Sequence, residues 1–216
     1  MIIRETNPGD LKLVNEMARL HLSTFPDYFL SMLGLPFMKA VYREYIEDPN
    51  AGIVIAEEDG NLVGLLSYMD GTSQVPVNVI NSRPLLFLYS AARLVLRKPS
   101  LYRNVKNLYE SCKKAKAKVY SRKFIELGSF ALYPHLRGNG TGTKMLDYIK
   151  AMPDYNTCDC VSLTTASDDN DRVNLFYLKR GFVPVGMVTM PEGKCMTIYQ
   201  YSPNPVKYRS AGVITQ

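Results

Sequence analysis

Leu132-Tyr133-Pro134-His135-Leu136-Arg137-Gly138-Asn139-Gly140-Thr141-Gly142 is the stretch on which the reading of this chain turns. The apolar run Phe130-Ala131-Leu132 leads into it, glycines recur at three alternate positions, and helix-forming sequence follows from about residue 140 to 151. The first N–H groups of a helix have no helical acceptor and lie at the positive end of its dipole, so such a turn attracts anions. Glycine permits the unusual dihedrals of a tight loop and lets a phosphate approach the backbone. Arg137 adds a fixed cation at the mouth. The segment is a candidate cradle for a phosphate or diphosphate. Two familiar phosphate loops fail to fit it. A P-loop needs glycine where Thr143 stands and a hydroxyl residue where Met145 stands, and a dinucleotide loop needs its last glycine at one of those same two positions.

Outward from this stretch the sequence alternates strands and helices. Downstream, Pro153 stops the helix and residues 160–165 read as a short buried strand. Asp168-Asp169-Asn170 opens a helix with the face Val173, Phe176 and Tyr177, closed by Gly181 behind Lys179 and Arg180. A hairpin of 182–190 and 195–201 turns at Pro191-Glu192-Gly193. Upstream, residues 2–5 form a strand and Asp10 stands where it would cap a helix with the face Leu11, Val14 and Ala18. Phe25, Pro26, Tyr28 and Phe29 make a connection, after which Pro36 opens a helix carrying Met38, Val41, Tyr42 and Tyr45 at helical spacing. Strands 52–57 and 61–69 join at Asp59-Gly60, a strong hairpin signal. Between the third and fourth strands, residues 71–122 read as a helical insertion. One stripe is Leu85, Leu88, Tyr89, Ala92 and Leu96; a second is Leu101, Val105, Leu108, Cys112 and Ala115.

With 216 residues, 46% hydrophobic and 21% charged, the chain suits one packed domain with an embellishment and excludes a disordered, collagen-like or coiled-coil protein. The most lipid-like run, 85–96, is interrupted by Arg93 and is far short of the ~18 apolar residues of a membrane span. The first residues lack the pattern of a signal peptide, so a cytoplasmic location is expected. Four cysteines make no disulfide scaffold here. Cys158, Asp159 and Cys160, with only His21 and His135 to add, give no four-ligand set, and no metal is expected. The charge is local: 83–123 holds twelve basic residues against the single acid Glu110, so this block carries +11 and the remainder −5 of the overall +6. The middle of the chain faces an anion.

Arg137-Gly138-Asn139-Gly140-Thr141-Gly142, with Leu132-Tyr133-Pro134 before it, resembles the pyrophosphate loop of the GNAT superfamily of acyl-CoA-dependent N-acetyltransferases. That loop reads Arg/Gln-x-x-Gly-x-Gly/Ala after an apolar-x-Pro step. The superfamily's second signature, Asn-x-x-Ala-x-x-aromatic-Tyr-x-x-x-Gly-Phe, is matched by Asn170, Phe176, Tyr177, Gly181 and Phe182, with Val173 at the place of the alanine. Two motifs in this order, about 30 residues apart, are far more specific than either alone. The resemblance covers about 1–70 and 123–201 and leaves the insertion outside it. Phe25-Pro26-Asp27-Tyr28-Phe29-Leu30 through Leu33-Gly34 also looks like members encoded in bacterial surface-polysaccharide clusters.

The resemblance implies a mixed α/β fold: a central, twisted, mostly antiparallel sheet flanked by helices. It implies one domain over 1–201 with the helical insertion 71–122, followed by a tail, 202–216. It implies that acetyl-CoA donates an acetyl group to a primary amine of a small molecule, a nucleotide-linked amino sugar being the expected acceptor, by direct attack in a ternary complex. An alkyl amine of pKa ~10.4 is protonated at neutral pH, so a base is required. Glu126 holds that place, and period two would set it on one face with Gly128, Phe130 and Leu132. Tyr177 matches the general acid for the departing thiolate. Backbone N–H groups near Phe130 and Leu132, with Asn170, would hold the cofactor arm, and residues 137–142 its diphosphate. Phe25, Tyr28 and Phe29 would wall the acceptor site. Against these stand plainer readings: Glu126 paired with a basic neighbour, Tyr177 as a core tyrosine, the aromatic trio as packing. A second functional class is a non-catalytic acyl-CoA-binding module that docks on an anionic membrane or partner through its basic insertion. The same insertion also reads as a solvated face, or as an extension of the site toward an anionic substrate. Nucleic acid is disfavoured, since no binding module accompanies the charge.

Overall fold

Strand alternation builds two cores back to back. In β2 (Ala51–Glu58), Ile53 and Ile55 enter one core while Val54 and Ala56 enter the other. That is the period-two consequence of a sheet covered on both faces. The computed structural model describes residues 1–71, 73–114, 124–190 and 194–204, with backbone alone at 111–114. Its sheet has β1 (Ile2–Glu5), β2, β3 (Asn61–Asp70), β4 (Phe124–Leu132), β5 (Cys160–Ala166), β6 (Val183–Thr189) and β7 (Cys195–Tyr201). Their spatial order is β1-β2-β3-β4-β5-β7-β6, and β4–β5 is the one parallel pair. The first core holds α1 (Val14–Thr24), α2 (Phe29–Met32), α3 (Leu35–Glu47) and the inserted helices α4 (Val75–Ser82), α5 (Pro84–Arg97) and α6 (Tyr102–Lys114). The second holds α7 (Thr141–Ala151) and α8 (Asp171–Lys179).

Local chemistry accounts for most boundaries. Asp59 and Gly60 both take positive φ, +51° and +78°, which closes the β2–β3 hairpin with the twist its strands require. Met38, Val41, Tyr42 and Tyr45 are all buried along α3, as their spacing predicts. Asp10 is not the cap of α1. Asn7 caps a 3₁₀ segment, Pro8–Leu13, and Asp10 sits three residues inside it, donated to by the Asn7 amide at 2.9 Å and by Arg4 at 2.7 Å.

The insertion departs most from its sequence pattern. Helix α4 was not anticipated, because Pro76, Asn78 and Asn81 interrupt its apolar run, yet Val75, Val79 and Ile80 are buried. In α5 the buried residues are Phe87, Ser90, Ala91 and Leu94, so the stripe of Leu85, Leu88, Tyr89, Ala92 and Leu96 is the outward face. The helix is apolar on two sides, and periodicity singled out the one that faces outward. In the second stripe Leu101, Val105 and Leu108 pack on the first core as expected. Ala115, the cations Lys116, Lys118, Arg122 and Lys123, the turn 191–193 and the tail 205–216 lie outside the described residues.

Candidate active site

The two central strands part in the middle of the sheet. β4 and β5 pair in parallel only from Phe124↔Cys160 to Leu127↔Leu163; beyond, β4 continues along β3 and β5 along β7. The β5-facing backbone edge of 128–132 is therefore left without a strand partner. A bulge lies at the parting point, where Leu66 faces Phe130 but Tyr68 already faces Leu127. The Ser129 amide turns inward to donate to Ser67 Oγ at 2.8 Å. Gly128 is exposed although it lies inside a central strand, the mark of a place where another backbone or a ligand approaches closely. The bulge also reverses the faces. Glu126 lies with Gly128 on the first-core side near Tyr45, whereas Phe130 and Leu132 pack in the second core under Gly142. The expectation that all four share one face fails for that reason.

A Cβ at position 128 would stand 2.7 Å from both Ser67 Oγ and Tyr45 Oη. Ser67 cannot retreat without releasing the Ser129 amide. Gly128→Ala is accordingly expected to destabilise the fold by roughly 1–3 kcal/mol and to disturb the split, measured by urea unfolding beside CoA affinity.

From Leu132 the chain turns into the glycine loop. Gly138 and Gly140 have φ of +92° and +90°, and the space around each is open, so here glycine serves the backbone and leaves room above it. Gly140 is the N-cap of α7 and contributes no side-chain cap. The amides of Gly142 and Thr143 in the first turn have no helical acceptor. Thr141 behaves otherwise: its amide and hydroxyl both donate to Asn139 Oδ1, at 3.0 and 2.7 Å. The Asn139 side chain and Thr141 thus brace the loop from within, so the Thr141 amide is engaged inside the loop rather than turned to a ligand. Arg137 is exposed at the mouth and forms no ion pair with a described residue. A second cation, which the sequence reading did not single out, reaches the helix end of the loop. Arg180 at the end of α8 donates through Nε and Nη2 to Thr143 Oγ1, at 3.1 and 2.8 Å. The lysine and arginine closing α8 were read only as helix-terminal charges.

Glu126 faces Met69 on β3 and Ser162 on β5, one residue before the strands part. Burial pushes its carboxyl above the ordinary value of 4.5, and it makes no hydrogen bond or ion pair with a described residue. It is a desolvated, unpaired acid. Tyr177 is buried among Phe176, Phe182 and Tyr199, with ring centroids 5.4, 5.7 and 6.1 Å away. Burial raises its phenol strongly, and the nearby Tyr28 adds to this. Tyr28, from the α1–α2 connection, is thus brought to Tyr177, from α8. Tyr28 also lines a cavity of about 350 Å³ with Ala166, Asp168, Asp169, Asn170, Lys194 and Cys195. Lys194 Nζ stands 4.8 Å from the centre of its ring. Phe25 and Phe29 do not share this lining; they are half-buried against the first core. Asn170 gives its Nδ2 to Thr165 Oγ1 and the Ala166 carbonyl, both at 3.0 Å, and so ties α8 to β5. Its oxygen alone remains for a ligand. Val173, at the family's alanine position, is exposed and crowds nothing.

An amide-rich anion loop, a split central pair of strands and a bulge at their parting mark out this mixed α/β fold. The model of the acetyltransferase (GNAT) family matches residues 14–182, and the chain belongs to that family. Among solved structures, it is similar to aminoglycoside 6'-acetyltransferase type Ii, with TM-score 0.59 and 18% identity over 95% of this chain and 100% of that one. An aminoglycoside 6'-N-acetyltransferase complexed with coenzyme A gives 0.58 and 17% over 95% and 99%. An N-acetyltransferase from Staphylococcus aureus Mu50 gives 0.58 and 16% over 93% and 100%. These identities speak for the fold. No curated protein sequence matches the chain closely enough to count as a relative.

Proposed function

We propose that this protein transfers the acetyl group of acetyl-CoA to the primary amine of a small molecule by direct attack in a ternary complex. The observation that carries the reading is the parting of β4 and β5 beside exposed Gly128, with an unpaired, desolvated carboxylate one residue before the split. The amides of Gly138, Gly140, Gly142 and Thr143, with Arg137, take the diphosphate. The acyl arm lies along the free edge of Phe130 and Leu132, and an edge amide polarises the thioester carbonyl. Glu126 accepts a proton from the acceptor's ammonium group. The freed amine attacks the carbonyl carbon, the N–C bond forms, the C–S bond breaks, Tyr177 protonates the departing thiolate, and the second proton shed by the new amide nitrogen returns Tyr177 to its neutral form. Tyr28 offers an aromatic face, Asp168 and Asp169 carboxylates for the ammonium group, and Lys194 a cation for phosphate, which together suit a nucleotide-linked amino sugar.

Glu126 and Tyr177 in place, with neither side chain held by a hydrogen bond to a described residue, favour an enzyme over a silent acyl-CoA carrier. The test is thiol release from acetyl-CoA against a panel of amines that includes nucleotide-linked amino sugars. The reading predicts release that depends on one amine and a matching N-acetyl product by mass. CoA binding with no amine turned over would leave the carrier reading instead.

A further inference from the structure

Helix α5 is apolar on two opposite sides, yet only one of them is covered. Phe87, Ala91 and Leu94 enter the first core. At 100° per residue, Leu85, Leu88, Tyr89, Ala92 and Leu96 fall on the opposite side, within an arc of about 100°. On that side Leu85 is 80% exposed, Leu88 64%, Tyr89 59% and Leu96 83%. Contiguous large apolar side chains on a water-facing helix mark an interaction surface. Along this segment of sequence the charge has one sign. No acid occurs between Asp70 and Glu110, while six cations do. Arg83 leans on Glu47 at 3.9 Å and Lys106 on Glu110 at 3.7 Å. The other four, Arg93, Arg97, Lys98 and Arg103, are exposed and have no acidic partner among the described residues. Arg93 and Arg97 follow the apolar arc by one residue and so flank it along its length. Pro99 ends the helix, and Tyr102, just past it, is also exposed.

We propose that this face of α5 docks on the surface of an anionic lipid bilayer. The helix lies in the plane of the interface, with its leucines and tyrosines among the upper acyl chains and its arginines at the phosphates. Its 14 residues span about 21 Å, and no described helix is long and apolar enough to cross a membrane. Charge complementarity favours this occupant. A polyanion such as RNA satisfies the arginines but leaves the leucines in water. A second copy related by a two-fold axis covers the leucines but sets the same cations against each other. The proposal does not rest on acetyl transfer, and either stands without the other.

Co-sedimentation of the full chain with phosphatidylcholine vesicles, with and without phosphatidylglycerol, tests it. Binding is expected only with the anionic lipid and weakens with salt. Leu88→Glu with Leu96→Glu, and separately Arg93→Glu with Arg97→Glu, are expected to lower partitioning by about tenfold or more, with CoA binding and melting temperature unchanged. The chain has no tryptophan, so Leu88→Trp is a single reporter that needs no loss of stability to be read. Its emission shifts to the blue on anionic vesicles, whereas that of Met187→Trp, exposed on β6, stays put. Absence of pelleting with anionic vesicles would overturn the proposal. So would pelleting that both paired variants retain, an unmoved Leu88→Trp spectrum, or a dimer dissolved by the leucine variant in the absence of lipid binding.

Discussion

Glu126→Gln is expected to lower kcat by about 10²–10⁴-fold at neutral pH while CoA binds as before. Glutamine keeps the shape and loses the basicity, so the comparison isolates proton transfer. The pH dependence carries a second signature. Burial raises the carboxyl above 4.5, and only the carboxylate is a base. The parent's rate therefore climbs with pH through this raised pKa, and that acidic limb is absent from the variant's residual rate. Stability moves the opposite way. The folded carboxyl holds its proton to higher pH than the unfolded one. The parent thus loses stability as pH rises through the interval above 4.5, where the unfolded state releases its proton first. Glutamine has no charge to desolvate, and the variant melts higher than the parent at neutral pH, by roughly 2–4 °C per kcal/mol. The gap closes in acid. A slower but more stable variant is the pattern of a base kept in an unfavourable place for its chemistry. Full activity in Glu126→Gln, or a lower melting temperature at neutral pH, would return Glu126 to a structural role.

Tyr177→Phe is expected to reduce kcat by about 10²–10⁴-fold and to leave KM for acetyl-CoA within a small factor. The aromatic ring remains among Phe176, Phe182 and Tyr199, so the second core keeps its packing. Only the oxygen is removed. Burial and Tyr28 raise the phenol well above its ordinary value of 10, so it stays protonated throughout the assay range and remains a donor when the thiolate departs. The measurement is steady-state kinetics beside a thermal melt. A melt close to the parent's with kcat collapsed assigns the hydroxyl to the reaction. An unchanged kcat would make Tyr177 a core tyrosine.

Much of this architecture was legible because local signals and the global fold agree. Asp59-Gly60 closes its hairpin and the α3 apolar spacing selects the buried face. The glycine loop sits between a strand and a helix, as its sequence requires. What escaped the sequence follows from tertiary geometry. The bulge at 128–129 has no signature of its own beyond a glycine, yet it moves Phe130 to the opposite face from Glu126. Thr141 and Asn139 pair with each other, which composition does not foretell. Tyr28 meets Tyr177 across 149 positions of sequence, and Arg180 reaches the loop only once α8 is docked beside α7. In α5 two faces are apolar, so periodicity found a stripe and only packing tells which face is covered.

The central claim is that the amides of the 138–143 loop seat the diphosphate of a CoA thioester. Calorimetric titration with CoA and, in parallel, with pantetheine, which lacks the nucleotide and its phosphates, tests it most directly. One CoA per chain, bound with release of heat and at least about a hundredfold more tightly than pantetheine, is the expected result; such a difference is about 2.7 kcal/mol. No heat from CoA, or equal affinity for the two compounds, would contradict it.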